Sequence, residues 1–318
     1  MAAPIVHRWS KPSTILLATE FPVNEKAFAF ALAEAAEFGS DLVLFHAYDD
    51  SAPPAPGTSL TPVSNCTRTR VEKLHFEPLL QRACNLGVPC KIVVRPGLPA
   101  EQILTFLRKR KIDRIIMGIH TPGPIGKLLV GSVAEDVLRS ATVPVNTVGP
   151  EVVESAYRHF ATRVVLCAVG MQLSDGVVAN FAANLAATHK ATLILQQVIP
   201  PQEAVEFLAG RNICQIEAAL SAMVPLRLRR KLVVQTRVVL GDPIEELLYQ
   251  GRSQHANLIV LGAQGASRFA AITRACIIYK VLAYAPCPVM TLSPIVLAEH
   301  CAEDDRLRSS GLSLAGVF

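Results

Sequence analysis

Residues 93–104 read VVRPGLPAEQIL, and residues 237–248 read RVVLGDPIEELL. Each is an apolar run, a glycine, a proline two residues on, and an amphipathic stretch that begins with an acid. Two further pairs keep the same spacing: RIIMGIH (114–120) with LIVLGAQ (258–264), and ATVPVNTV (141–148) with APCPVMTL (285–292). Gly97 corresponds to Gly241, Gly118 to Gly262 and Pro144 to Pro288; the differences 241 − 97, 262 − 118 and 288 − 144 are all 144. Glu101/Glu245, Leu104/Leu248, Val137/Val281 and Ala141/Ala285 hold that register. One offset kept this long identifies an internal duplication. Upstream the match continues at a slightly larger offset, STILLATE (13–20) with RVVLCAVG (163–170) and SDLVLFHAY (40–48) with ATLILQQVI (191–199). The first copy therefore carries a net insertion of about six residues, most easily in its Pro-rich loop.

Within a copy, apolar runs alternate with helical stretches. The first copy reads as strand Thr14–Thr19, an Ala-rich helix from about Asn24 to Phe38, strand Leu42–Ala47, helix Arg70–Leu86 and strand Lys91–Arg95. Helix Ala100–Lys109, strand Arg114–Met117, a Gly-rich loop, helix Ser132–Ser140 and strand Val143–Val148 follow. This alternation predicts βαβ units on a parallel sheet, and right-handed crossovers put helices on both faces. Two domains are expected, at 13–149 and 162–295, with a linker at 150–161 and tails at 1–12 and 296–318. Ser51–Asn65 (SAPPAPGTSLTPVSN) is too rich in Pro, Ser and Thr for a regular element. It reads as a mobile excursion, or as a lid over the nearby site.

Composition narrows the function. The 318 residues are 51% hydrophobic and 18% charged, with a net charge of +5, so there is ample apolar material for two cores. The basic cluster Arg227, Arg229, Arg230 and Lys231 reads as a solvated helix end; aromatics are 6% and do not interleave with it, which argues against nucleic acid as a partner. No apolar run reaches the roughly 18 residues of a membrane span, and Thr14–Thr19 is too short for a signal-peptide core. The eight cysteines show no CxxC pair and no ligand spacing with histidine. They read as the reduced thiols of a cytoplasmic protein, most of them packed in or near the cores.

The last third of each copy resembles a universal stress protein domain. Such domains end in a strand, a loop of form G-x2-G-x9-G-(S/T), a helix and a Pro-Val strand. The first copy has Gly118-Ile-His-Thr121, nine residues, Gly131-Ser132, then VAEDVLRSATVPVNTV. The second has Gly262-Ala-Gln-Gly265, nine residues, Ala275-Cys276, then IIYKVLAYAPCPVMTL. The upstream Gly97-Leu-Pro99 and Gly241-Asp-Pro243 also fit. The resemblance implies an α/β chain of two tandem Rossmann-like (adenine nucleotide alpha hydrolase-like) domains, each a five-stranded parallel sheet with helices on both faces. It also implies that the loop holds the phosphates of ATP, while an acidic residue ending the first strand meets the adenosine end.

The loop's chemistry is readable by itself. Ligands of open parallel sheets sit beyond the carboxyl ends of the strands, where strand order reverses. Glycines there let backbone N–H groups approach an anion, and a Gly-Ser pair at a helix start adds free N–H groups and a hydroxyl. The implied nucleotide contacts are Glu20, Ala47, Gly118, Thr121, Gly131 and Ser132 in the first copy, and Gly262 and Gly265 in the second. The copies depart from the pattern differently. In the first, Thr121 replaces a glycine and Pro122 and Pro124 flank Gly123, whereas Gly131-Ser132, Lys127 and the acidic Glu20 are present. In the second, Gly262 and Gly265 are present with Arg268 and Arg274 nearby, but Ala275-Cys276 replaces Gly-Ser and Gly170 replaces the acid.

Three functions follow: a non-catalytic stress-response module taking an adenine nucleotide in its first copy, with a degenerate second site; a structural or dimerisation protein of the same fold with no nucleotide; and a slow ATPase. No catalytic residue and no metal ligand is assigned. There is no G-x4-GK-(S/T), GxGxxG or GxSxG motif. His46 and His120 read as hydrogen-bonded core or rim residues. Cys276, at a helix start, is either a reactive thiol or a packing residue. The resemblance also implies that the Pro-Val edge strand pairs two domains; the strands at Val143–Val148 and Pro288–Leu292 are therefore expected to pair the copies as an internal pseudo-dimer, and two chains could associate further as a homodimer.

Overall fold

The computed structural model describes residues 11–49, 74–119, 131–156, 163–170, 173–205, 212–263 and 277–299. The apolar runs become ten strands: β1 (Thr14–Ala18), β2 (Asp41–Tyr48), β3 (Cys90–Pro96), β4 (Arg114–Gly118) and β5 (Val145–Val148), then β6 (Val164–Ala168), β7 (Thr192–Ile199), β8 (Val234–Leu240), β9 (Leu258–Gly262) and β10 (Val289–Leu292). They form one sheet in the order β3-β2-β1-β4-β5-β10-β9-β6-β7-β8. Within each half every pairing is parallel. Only β5 and β10, which join the halves, run antiparallel, with Asn146 opposite Met290. The fold is thus a tandem pair of Rossmann-like α/β units.

Helices cover both faces. Those of the first half are α1 (Glu25–Phe38), α2 (Glu77–Asn85), α3 (Pro99–Lys109) and α4 (Ser132–Ser140); those of the second are α5 (Leu173–His189), α6 (Ile213–Ala222), α7 (Leu226–Arg229) and α8 (Pro243–Ser253), with further helical turns at 277–284 and 294–299. Central strands are apolar on both sides because both faces are buried. On one face a core runs continuously across the junction, from Leu16, Phe106 and Val145 to Val289, Ile259 and Leu247. On the other, α1 and α2 bury Phe28 and Phe76 against the first half, and α5 buries Phe181 against the second.

The duplication repeats small devices as well as elements. Gly97 (φ +117°) takes a conformation open to glycine, and its N–H donates to Tyr48 O at 2.9 Å. Gly241 N–H donates likewise to Ile199 O at 3.1 Å. Pro99 and Pro243 then open α3 and α8, where a missing N–H costs nothing. The first strand of each half is held at its start by a side chain from just before the fourth. Asp113 Oδ2 accepts from the N–H groups of Ser13 (2.8 Å) and Thr14 (3.1 Å). Asn257 Oδ1 does the same for Arg163 (2.9 Å) and Val164 (3.0 Å). Asp113→Ala should therefore cost about 2–3 kcal/mol, since it strands two backbone donors. Asp113→Asn should cost less than about 1 kcal/mol, because an amide oxygen already serves in the second half. Urea unfolding of both variants checks this; equal losses would show that the amide is no substitute.

Three expectations shift. Strands β5 and β10 begin at Val145 and Val289, one residue after the prolines, whose carbonyls still accept from Ile115 and Ile259. The segment from 296 starts as ordered helix, with Val296 and Leu297 packed into the second core; these two apolar side chains precede the polar stretch that makes the sequence read as a tail. Within 150–161, Val152 is buried against the first half and Lys26 Nζ donates to Val152 O at 2.9 Å. The Pro-rich Ser51–Asn65 lies outside the described residues.

Candidate functional site

In the first half the chain runs β1, β2, β3 in one direction and returns to place β4 on the other side of β1. Strand order therefore reverses between β1 and β4, and a crevice opens beyond their carboxyl ends. Connectivity brings Glu20, Ala47, Gly118 and the start of α4 to this end. Glu20 is exposed, two residues past β1. Ala47 is the penultimate residue of β2 and packs partly on the core shared with α4.

Gly118 ends β4, and its glycine has a packing cause. A Cβ there would lie 2.5 Å from the amide nitrogen of Asn24. Asn24 caps α1, its Oδ1 accepting from Ala27 N–H at 3.0 Å. Gly262 is similar, since its Cβ would lie 2.7 Å from Val178 Cγ2 on α5. Both glycines bring a helix close to the sheet, whatever else they do.

Gly131 differs, because nothing lies within 4 Å of where its Cβ would be. It precedes α4 without supplying a side-chain cap, and both it and Ser132 are exposed. Among the described residues, no side chain at the N-cap bonds the first-turn N–H groups, which carry the positive end of the helix dipole. Thr121 and Gly265 lie outside the described residues, as do His120, Lys127, Arg268, Arg274 and Cys276.

His46 is buried on β2, and its Nδ1 donates to Thr19 O at 2.9 Å. Phe21, next to Glu20, stacks at 4.7 Å on His46 and at 4.9 Å on His75 and on Phe76. This aromatic wall beside the crevice was not singled out in sequence, because its members come from three separate segments.

In the second half, sequence reading finds no acid at the end of the first strand. The structure supplies one from elsewhere. Asp175, in the first turn of α5, brings Oδ2 to 2.8 Å from where a Cβ on Gly170 would sit. Gly170 thus makes room for a carboxylate carried by the helix. An acid five residues past Gly170 was the available signal. Nearby, β7 buries Gln196 and Gln197, whose side-chain Oε1 atoms have no hydrogen-bond partner among the described residues. Their counterparts in the first half are Phe45 and His46.

The thiols described are of two kinds. Cys167 and Cys287 are buried, and burial pushes both well above the ordinary thiol range, with the Asp175 carboxylate adding to the rise at Cys167. Burial lifts Cys90 to about 11. These three are protonated and unreactive at neutral pH. Cys84 and Cys214 are exposed on α2 and α6, where the outward helix faces carry them. Among the described residues no group of three or more His, Cys, Asp or Glu could hold a metal ion, and no helix is long and apolar enough to cross a membrane.

Comparison with known proteins agrees with this architecture. The model of the universal stress protein family matches residues 12–149 and again 161–293. A universal stress protein of Thermus aquaticus is 35% identical over 136 residues, which is 42% of this chain and 95% of the relative. Among solved structures, a universal stress protein from Archaeoglobus fulgidus superposes with a TM-score of 0.62 at 19% identity, covering 88% of this chain and 98% of its own. A functionally unknown protein from Pseudomonas aeruginosa gives 0.64 at 15% identity, over 96% and 99%. At these identities the structural likeness speaks for the fold; the two-segment family match speaks for descent. The chain belongs to the universal stress protein family.

Proposed function

We propose that this protein is a non-catalytic stress-response module of the cytoplasm that takes ATP, or another adenine nucleotide, in its first domain. Residues 13–149 form the binding unit and 162–295 a second, altered copy. The supporting observation is the start of α4 at the strand-order switch, where Gly131 supplies no side-chain cap and no described atom lies within 4 Å of its Cβ position. Gly131 and Ser132 receive the phosphates, and Glu20 and Ala47 meet the nucleoside end. A purely structural role is favoured by one fact: Gly118 and Gly262 are already explained by Asn24 and Val178 packing over them.

The two readings separate with Gly131→Asp. Gly131 has φ −52° and ψ 148°, a conformation open to any residue, so the substitution fits. An aspartate there would cap α4 and stabilise it by a few tenths of a kcal/mol. It would also put a negative charge where phosphates bind. Calorimetric titration of the full chain with ATP and magnesium should show binding that Gly131→Asp weakens at least tenfold while the melting temperature holds or rises. Unchanged affinity in the variant, or no ATP binding by the parent, would leave the structural role.

A further inference from the structure

The crevice lies at the carboxyl ends of the strands, but a separate cavity of about 820 Å³ lies at the amino ends in the second half. Its walls include Val153, Arg163, Arg252, His255, Ala256 and Pro286. Arg163 and Asn257 immediately precede β6 and β9, while Val153 belongs to the segment that joins the copies.

The duplication shows why the space is there. Gly251 and Ala256 line it, and at the same register the first half carries Leu107 and Ile112. Both of those are buried members of the continuous core. In the second half two large aliphatic side chains have thus become glycine and alanine. Pro286 and Ile259 take up part of that space, the proline ring and Ile259 Cδ1 each 3.4 Å from where a Gly251 Cβ would sit. Val153 N–H donates to Pro286 O at 2.9 Å and so fixes the joining segment over one side.

Charge is one-sided. Among the described residues, Arg163, Arg252 and His255 line the cavity and no carboxylate does. Arg252 is steadied by donating from Nη2 to Tyr284 O at 3.4 Å. The carbonyls that end α8 are turned to local use: Arg252 O accepts from His255 N–H at 3.2 Å and Gly251 O from Ala256 N–H at 2.9 Å. The rest of the wall mixes small apolar groups, Ala156, Gly251 and Ala256 among them, with the polar Ser155, Gln254 and Asn257. A cavity of several hundred Å³ at a junction between units, with apolar surface and a few cationic groups, has the size and the mixed lining of a small-molecule site.

We propose that this cavity binds a small organic anion, an apolar or aromatic body bearing a carboxylate or phosphate, with the anion toward Arg163 and Arg252 and the body against Ala256, Val153 and Pro286. The site is independent of the nucleotide crevice at the other end of the strands.

The test uses the full chain and 8-anilinonaphthalene-1-sulfonate, a fluorescent aromatic anion. It should bind at one dominant site. Ala256→Ile, which restores the residue type of the first half, should weaken it at least tenfold by filling the space. The exposed pair Arg163→Gln/Arg252→Gln should weaken it about tenfold and flatten its salt dependence, while leaving the neutral N-phenyl-1-naphthylamine unaffected. Circular dichroism and the melting temperature establish that each variant is folded. Benzoate and phenyl phosphate should compete, and the stronger competitor identifies the anion. Dye affinity unchanged in either variant, equal losses for the neutral dye in the arginine variant, or failure of both competitors would overturn the proposal. ATP affinity should not move in any of these variants, so this proposal and the nucleotide reading can fail separately.

Discussion

Arg114→Leu should destabilise the chain by about 3–5 kcal/mol, and adding Glu34→Asn should recover most of the loss. Arg114 opens β4 and is fully buried, its Nη1 donating to Glu34 Oε2 on α1. The guanidinium also lies 5.9 Å from the centre of the Phe38 ring, within cation–π range. A buried pair of this kind adds little net stability, because desolvation offsets the attraction, but breaking it leaves a carboxylate without its counter-charge. The second half shows that the fold does not need the pair. At the register of Arg114 it carries Leu258, and at that of Glu34 it carries Asn184, whose amide donates to Asn180 O at 2.8 Å. The double variant therefore copies a solution already present in the same molecule. Urea unfolding of the parent, both single variants and the double variant gives the coupling directly. A harmless Arg114→Leu, or a double variant no better than the single, would refute the argument.

That comparison depends on the duplication, which was also what made the fold legible. The 144-residue offset of Gly97, Gly118 and Pro144 from their counterparts orders the strands before any coordinate is seen. Apolar periodicity supplies the rest, because a strand buried on both faces is apolar throughout. The joining of β5 to β10 was legible through the resemblance, whose Pro-Val edge strand pairs two domains and would otherwise be left unpaired.

The site was less legible, for a physical reason. Sequence spacing tells which residues share a strand or a loop, but not which side chain fills the space over a glycine. Gly118 reads as a phosphate-loop glycine until Asn24 is found 2.5 Å from its missing Cβ. Gly170 reads as a lost acid until Asp175 is found over it. The amino-end cavity is invisible in either copy alone. It emerges only when Gly251 and Ala256 are set against Leu107 and Ile112 and the joining segment is placed over them. Long-range packing across the repeat, rather than local pattern, carries these features.

The junction itself should be broken by one methyl group: Gly149→Ala is expected to cost about 3 kcal/mol or more. Gly149 follows β5, and a Cβ on it would lie 2.4 Å from the carbonyl oxygen of Leu282. That oxygen belongs to the 277–284 helix of the other half, and the Leu282 side chain is buried in the continuous core. A flexible side chain could swing aside, but a helical carbonyl moves only with its helix. Either β5 retreats from β10 or the helix lifts off the sheet. The first loosens the bond from Thr147 Oγ1 to Val289 O and that from Ser293 Oγ to Ala141 O; the second opens the core around Val145 and Val289. Gly131→Ala is the control, since nothing lies within 4 Å of that Cβ position and its backbone is extended; it should change stability by less than about 1 kcal/mol. Calorimetric melting distinguishes the outcomes, because loosened halves should unfold as two transitions where the parent shows one. If Gly149→Ala melts as one transition within a degree or two of Gly131→Ala, the halves do not depend on close backbone approach at this point.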